Sequence, residues 1–153
     1  MTAYFFDSSA LVKRYARETG TAWIISLFRP AVNRIYVAHI TVVEVVSALS
    51  RRVRSGSLTA DDASRAIGRF RRSFDGKFLK VAITATVINH AVALAEQHCL
   101  RGYDAIQLAA AIEIHTQRLN AGAAPVVLVS ADAALNAVAA ATGLLVDDPN
   151  FHP

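Results

Sequence analysis

Residues 3–11 read AYFFDSSAL, a short apolar strand that runs into an acidic residue and then into a helix. Ala3 to Phe6 favour a strand, and Ser8 or Ser9 can cap the helix that follows, whose pattern extends to about Arg17. Asp7 therefore stands where a strand ends against a hydrophobic core. A carboxylate in that position is costly unless it is paired, protonated or bound to a cation.

The same alternation of strand and helix continues along the chain. It predicts a parallel sheet covered by helices on both faces, because parallel strands need crossover connections. We expect a three-layer α/β/α domain spanning residues 1–153, with a central sheet of four to five strands. The predicted strands are 3–6, 35–40, 78–83, 125–130 and 144–146, and the predicted helices are 8–17, 23–28 (up to Pro30), 41–54, 59–75, 84–98, 103–119 and 133–142.

The composition describes a globular protein with a large core. Of 153 residues, 54% are hydrophobic and 18% are charged, which makes disorder improbable. No apolar run approaches the roughly 20 residues of a membrane span. A single cysteine, Cys99, and an N-terminus without signal-peptide features lead us to expect a cytoplasmic protein with no membrane association.

A basic helical hairpin at about residues 41–75 is predicted to protrude between two strands. Residues 51–80 hold nine basic and three acidic side chains, whereas the remainder of the chain has a net charge of −2. Such a lobe suits a protein that binds a phosphate backbone. A solvated hairpin that is charged only for solubility explains it equally well. Our candidates for phosphate contacts are Arg51, Arg52, Arg69 and Arg72.

Four acidic residues in otherwise apolar stretches stand at the predicted ends of strands or starts of helices: Asp7, Glu44, Asp104 and Asp132. Ligands of open α/β sheets bind beyond the carboxyl ends of the strands, so these side chains can converge on one cleft. Taken singly, each has a simpler explanation. Asp7, Asp104 and Asp132 suit helix N-termini, and Glu44 completes a capping box with Thr41.

The sequence around these acids resembles that of the PIN-domain nucleases, and specifically of the VapC toxins of type II toxin–antitoxin pairs. The resemblance covers nearly the whole chain, in order and at family-like spacing. The matching segments are FDSSALVKRY (6–15), TVVE (41–44), LRGYDAIQLAAA (100–111), VSAD (129–132) and GLLVDDP (143–149).

The resemblance implies a metal-dependent endoribonuclease with Asp7, Glu44, Asp104 and Asp132 as metal-binding and catalytic residues. Carboxylate ligands suit Mg²⁺, with Mn²⁺ as a substitute, better than zinc. Ser9 and Ser130 are expected as supporting hydroxyls, although helix capping explains them equally well. Asp147 or Asp148 remains an alternative or a supplement to Asp132. The five histidines lack the spacing of zinc ligands: His39, His90, His98, His115 and His152.

The family also implies partners: an RNA substrate, a cognate VapB-type antitoxin that blocks the cleft, a second copy of the chain in a homodimer, and a larger assembly with the antitoxin. Two other functions compete with this one. A phosphatase with a strand-end aspartate nucleophile would need an acid two residues later, where this chain has Ser9. A non-catalytic module that binds RNA or protein through the basic hairpin is the alternative from another class.

Overall fold

The computed structural model describes residues 1–29 and 31–153, so the predicted limit of the second helix at Pro30 lies outside the described residues. Five parallel strands form one sheet in the order β3-β2-β1-β4-β5. The predicted parallel α/β sheet is confirmed. The strands are β1 (Ala3–Phe6), β2 (Arg34–Ala38), β3 (Leu79–Val81), β4 (Val126–Val129) and β5 (Leu145–Asp147).

Helices cover both faces of this sheet. Short 3₁₀ turns follow the first helix, at Val12–Arg14, and the last strand, at Pro149–Phe151. No helix in residues 1–29 and 31–153 is long and apolar enough to cross a membrane. The α-helices are α1 (Ser8–Leu11), α2 (Thr21–Leu27), α3 (Thr41–Arg54), α4 (Ala60–Gly76), α5 (Ala85–His98), α6 (Gly102–Asn120) and α7 (Ala133–Ala141).

Alternation along β1 divides the core into two halves. Phe5 faces a cluster made with α5, α6 and α7, whereas Phe6 faces a cluster made with α1 to α4, because successive side chains of a strand point to opposite faces. Both rings are fully buried. In α6, the buried residues Ala109–Ala111 have small side chains, which allow this helix to pack close to the sheet.

Three local predictions about helix starts and ends were wrong. The first helix ends at Leu11 rather than near Arg17, and the chain continues in a 3₁₀ turn, Val12–Arg14. In this turn the Lys13 carbonyl accepts a hydrogen bond from Thr21 Oγ1 (2.7 Å). The cap of the first helix is Asp7, not Ser8 or Ser9. Thr41 does not cap α3, since Ile40 occupies the N-cap position without a side-chain bond.

Gly20, which precedes α2, is held in a left-handed conformation (φ 86°) against the backbone of Pro149. We expect Gly20→Ala to lower the free energy of unfolding by about 2–4 kcal/mol, because the added Cβ meets both backbone strain and the Pro149 carbonyl. Gly122→Ala is the matched control, since Gly122 has a similar φ of 69° but open space around it. Urea denaturation would measure both variants, and equal losses would contradict a role for the Pro149 contact.

Candidate metal and nuclease site

The four predicted carboxylates all lie at the carboxyl edge of the sheet. Asp7 directly follows β1 and Asp132 follows β4 after two residues, while Glu44 and Asp104 stand in the first turns of α3 and α6. From β1 the chain moves to β2 and β3 on one side, and β4 and β5 lie on the other. The crevice between β1 and β4 is therefore the topological switch point, where ligands of such sheets bind.

Asp7 is the most enclosed of the four, with only 3% of its surface exposed. Its Oδ1 accepts hydrogen bonds from Ser9 Oγ (2.7 Å) and from the backbone N–H of Ala10 (3.1 Å). Burial raises the pKa of the Asp7 carboxyl to about 7; the two hydrogen bonds oppose this rise, and the negative charges of Glu44 and Asp104 add to it. Asp7 thus caps α1 and also belongs to the acidic cluster.

Glu44 is held at both carboxylate oxygens by residues from other elements. Ser8 Oγ donates to Oε2 (3.0 Å), and Gln107 Nε2 donates to Oε1 (2.6 Å). Thr41 Oγ1 accepts from the same amide nitrogen at 2.9 Å, so its hydroxyl serves Gln107 and not the helix start. The capping-box interpretation of Glu44 is wrong. Burial raises the Glu44 pKa, the hydrogen bonds from Gln107 and Ser8 lower it, and the negative charge of Asp104 raises it further.

Asp104 and Asp132 are the other two members of the acidic cluster. Burial raises the pKa of Asp104, the charge of Asp132 raises it again, and Arg101 opposes the rise. Asp132 is also the N-cap of α7, where its Oδ1 accepts from the N–H of Leu135 (2.9 Å). Asp104 therefore interacts with acidic residues on both sides, since its charge also raises the pKa values of Asp7 and Glu44.

Within residues 1–29 and 31–153, no basic side chain forms a salt bridge with this cluster: the salt bridges involve other acids, namely Glu18, Asp62 and Asp147. Arg101 acts on Asp104 only through its charge. These carboxylates are partly buried and repel one another, and a divalent cation would neutralise their charge. They offer oxygen atoms only, which are the ligands of hard cations, so the residues fit Mg²⁺ or Mn²⁺ chemically. In the same part of the chain no three of these acids stand close enough to form a ready-made metal site. A cation would have to draw them together.

The two predicted hydroxyls have different positions. Ser9 donates to Asp7 and accepts from the N–H of Ala131 (2.9 Å), so it ties the end of β1 to the loop after β4. Ser130 is fully buried, and its Oγ accepts from the N–H of Asp132 (3.1 Å), which orders the turn that carries this acid. Ser9 thus contacts a carboxylate directly, whereas Ser130 acts on the backbone.

The alternative acids at the end of β5 have partners of their own. Asp147 Oδ1 lies 2.7 Å from His152 Nε2. Asp148 caps the last 3₁₀ turn by accepting from the N–H of Asn150 (2.8 Å). The charge of Asp132, and not that of Asp147 or Asp148, contributes to the raised pKa of Asp104, so Asp132 is the better candidate for the fourth acid.

The four candidate phosphate contacts do not lie together. Arg51 borders the same cleft as Glu44, whereas Arg52 Nη2 bonds Glu18 Oε1 at 3.0 Å. Arg69 and Arg72 line a separate hollow with Arg14 and Tyr15, next to α2. Only Arg51 is therefore placed to act beside the carboxylates.

Sequence reasoning missed four residues around the site: Ser8 and Gln107, which hold Glu44, and Arg101 and Tyr103, which border its cleft. A signal existed for two of them. Gln107 lies one helical turn after Asp104, on the same side of α6, and a polar residue inside an alanine-rich run needs a buried partner. Tyr103 directly precedes Asp104.

One protein-family profile matches most of this chain. The PIN domain profile matches residues 4–141. The chain belongs to the PIN-domain family. This PIN domain is 34% identical over 114 residues to Ribonuclease VapC45 of Mycobacterium tuberculosis, an alignment that spans 74% of this chain and 78% of that relative. The predicted kinship with the VapC group is confirmed.

Solved structures share the PIN fold at low sequence identity. PAE2754 from Pyrobaculum aerophilum superposes with a TM-score of 0.62 at 23% identity, over 98% of this chain and 85% of that one. VapBC2 from Rickettsia felis, solved bound to a DNA fragment from its promoter, gives a TM-score of 0.62 at 14% identity, over 96% and 98%. These likenesses confirm the predicted fold class.

Proposed function

We propose that this protein is a divalent-metal-dependent endoribonuclease that hydrolyses RNA phosphodiester bonds in the cytoplasm, as the toxin of a toxin–antitoxin pair. The observation that supports it most is that Asp7, Glu44, Asp104 and Asp132 lie at one edge of the sheet, where burial and neighbouring acids raise the pKa values of the first three. Within residues 1–29 and 31–153, none of the four forms a salt bridge. The identity with a relative named as a ribonuclease supports the reaction class. Phosphodiester hydrolysis at such sites uses carboxylates and divalent cations.

In this proposal the four carboxylates hold Mg²⁺, or Mn²⁺ in its place. The bound cation supplies a water molecule of lowered pKa and a positive charge beside the phosphate. The protein's own contribution is to orient two of the four carboxylates. Ser9 and the Ala10 N–H hold Asp7, and Ser8 and Gln107 hold Glu44, so two of the ligands are oriented before RNA binds.

A cognate VapB-type antitoxin is the proposed protein partner. The fold neighbours include VapBC2 of Rickettsia felis, which was solved with DNA of its promoter, and a toxin–antitoxin complex from Klebsiella pneumoniae. For this chain we propose a complex with such an antitoxin, together with a homodimer of the toxin that the family resemblance implies and a larger assembly of the two proteins. Co-purification with the product of a small neighbouring gene, followed by light scattering, tests both parts.

Metal dependence has a direct test. Mn²⁺ at a hundredfold excess over Kd should raise the melting temperature of the metal-free protein by roughly 5–10 °C, because the cation binds only the folded cluster. Glu44→Gln should weaken this rise, whereas Glu113→Gln, on the outer part of α6, should leave it unchanged. Calorimetric melting in EDTA and in Mn²⁺ measures the effect.

Cleavage of labelled single-stranded RNA should follow the same metal titration. Equal cleavage in EDTA and in Mg²⁺ would contradict the metal-dependent mechanism. RNA binding with neither cleavage nor a metal-linked rise in melting temperature would favour the non-catalytic binding module.

A further inference from the structure

A cleft of about 390 Å³ opens beside the acidic cluster. One wall carries Ser8, Ser9 and Glu44, which belong to the carboxylate site. The other residues that border it include two arginines and an aromatic residue, Arg51, Arg101 and Tyr103. The cleft therefore joins one proposed metal ligand, Glu44, and the serine that bonds Asp7 to a basic and aromatic surface.

Tyr103 is the aromatic side chain of this cleft, and 61% of it is exposed to solvent. It lies in the first turn of α6, directly before Asp104. Tyrosine is an amphipathic residue of intermediate burial, with an apolar ring and a polar hydroxyl, and it is enriched at interfaces. An exposed ring beside a phosphodiesterase site is a surface on which a nucleobase can stack, an interaction of about 1–3 kcal/mol per base.

The two arginines border the same cleft as this ring and can bind anions. Both are exposed, and within residues 1–29 and 31–153 neither takes part in a salt bridge. Arg101 is close enough to Asp104 for its charge to lower the pKa of that carboxyl. Arg51 lies seven residues after Glu44 on the same side of α3, about 10 Å farther along the helix axis. One positive charge, Arg101, therefore lies near Asp104, and the other, Arg51, lies about two helical turns beyond Glu44.

We propose that Tyr103, Arg101 and Arg51 form a subsite for an unpaired RNA strand, in which Tyr103 stacks on a base next to the cut and the arginines hold neighbouring phosphates. This inference rests on the proposed nuclease function. A base in a duplex is already stacked on both faces and paired at its Watson–Crick edge, so its faces are not available to Tyr103. The subsite thus selects single-stranded RNA over duplex RNA.

Fluorescence anisotropy in EDTA tests the subsite separately from cleavage, with a labelled single-stranded oligoribonucleotide and the corresponding duplex. Tyr103→Ala should weaken single-strand binding about 5- to 150-fold, and Tyr103→Phe should retain it, because the ring is kept. Phe151→Ala is the matched control: Phe151 is also exposed (82%), but it does not line the cleft. Circular dichroism confirms folding of each variant.

The arginines have a different signature in the same assay. Arg51→Gln and Arg101→Gln should each weaken binding and reduce the slope of log Kd against log salt by about 0.7, since each removes one phosphate contact to a single strand. Arg54→Gln should leave affinity and slope unchanged, because Arg54 is exposed on the same helix but outside the cleft.

Three outcomes would overturn the subsite: wild-type affinity in Tyr103→Ala, equal affinity for single strand and duplex, or variants that impair antitoxin capture while RNA binding is unchanged. Intact single-strand preference in a protein that never cleaves RNA in Mg²⁺ would refute the proposed nuclease function and leave the subsite standing.

Discussion

Replacing Asp7 by asparagine is expected to reduce RNA cleavage at least about 1000-fold and to leave the fold intact. Asparagine has the same shape, and its Oδ1 can still accept from the Ala10 N–H and from Ser9 Oγ, so α1 keeps its cap. The lost group is the negative charge that would bind the cation. Steady-state cleavage of labelled RNA in Mg²⁺ measures the effect.

The same variant should alter how stability depends on pH. In the metal-free wild type, the pKa of Asp7 is raised from 3.8 to about 7, so the folded state binds a proton more tightly than the unfolded state does. The free energy of unfolding should therefore fall as pH rises from about 4 to 7, by up to about 4 kcal/mol from this residue. Glu44 and Asp104, whose pKa values are also raised, contribute with the same sign.

Asp7→Asn should consequently be more stable than the wild type at pH 8 in EDTA and should show a shallower decline with pH. Asp75→Asn, an exposed position on α4, is the matched control and should follow the wild type in both assays. Wild-type cleavage in Asp7→Asn would refute the proposed mechanism. An unchanged pH slope would show that Asp7 is not the buried group that governs it.

Replacing Gln107 by leucine should lower metal affinity or cleavage about 10- to 100-fold. Gln107 is fully enclosed and donates from Nε2 to both Glu44 Oε1 and Thr41 Oγ1, so it sets the direction in which the glutamate points. Residues that orient a metal ligand contribute effects of this size. Mn²⁺ titration followed by calorimetric melting, together with the rate at saturating Mg²⁺, separates weaker metal binding from slower chemistry.

The chain offers a close control for Gln107 on the same helix. Gln117 Nε2 also donates to a glutamate, Glu113 Oε1, at 2.7 Å, but this pair is exposed at the surface. Gln117→Leu should therefore have no measurable effect on metal affinity or cleavage, since an exposed pair of this kind contributes only a few tenths of a kcal/mol. If Gln107→Leu matched Gln117→Leu in both measurements, Gln107 would have no positioning role.

The order of strands and helices was predictable because its signals are local. The aromatic run before Asp7, the Thr59 cap of α4 and the Thr84 cap of α5 each lie within a few residues of the element they define. Helix ends were less predictable. Just after the end of the first helix, the Lys13 carbonyl bonds to Thr21, a contact that the local sequence pattern does not contain.

The candidate site also has residues that the sequence could predict and residues that it could not. The four acids could be found from their places at strand ends and helix starts, and the resemblance to the PIN family strengthened that choice. Their partners could not: Ser8 reaches Glu44 across 36 residues of sequence, and Gln107 reaches it across 63. The basic candidates show the same limit, since Arg51 and Arg69 share a charged lobe in the sequence and line different hollows in the fold.

By itself, therefore, the sequence determined the parallel α/β architecture and the four carboxylates at its carboxyl edge, because hydrophobic periodicity and strand-end positions are properties of short segments. Only the tertiary structure decided that Glu44 serves the cleft rather than its own helix start, and that Arg101 and Tyr103 border it. The reason is physical: hydrogen bonds and charge interactions depend on distances of a few ångströms, and packing across the sheet sets those distances between residues far apart in the chain.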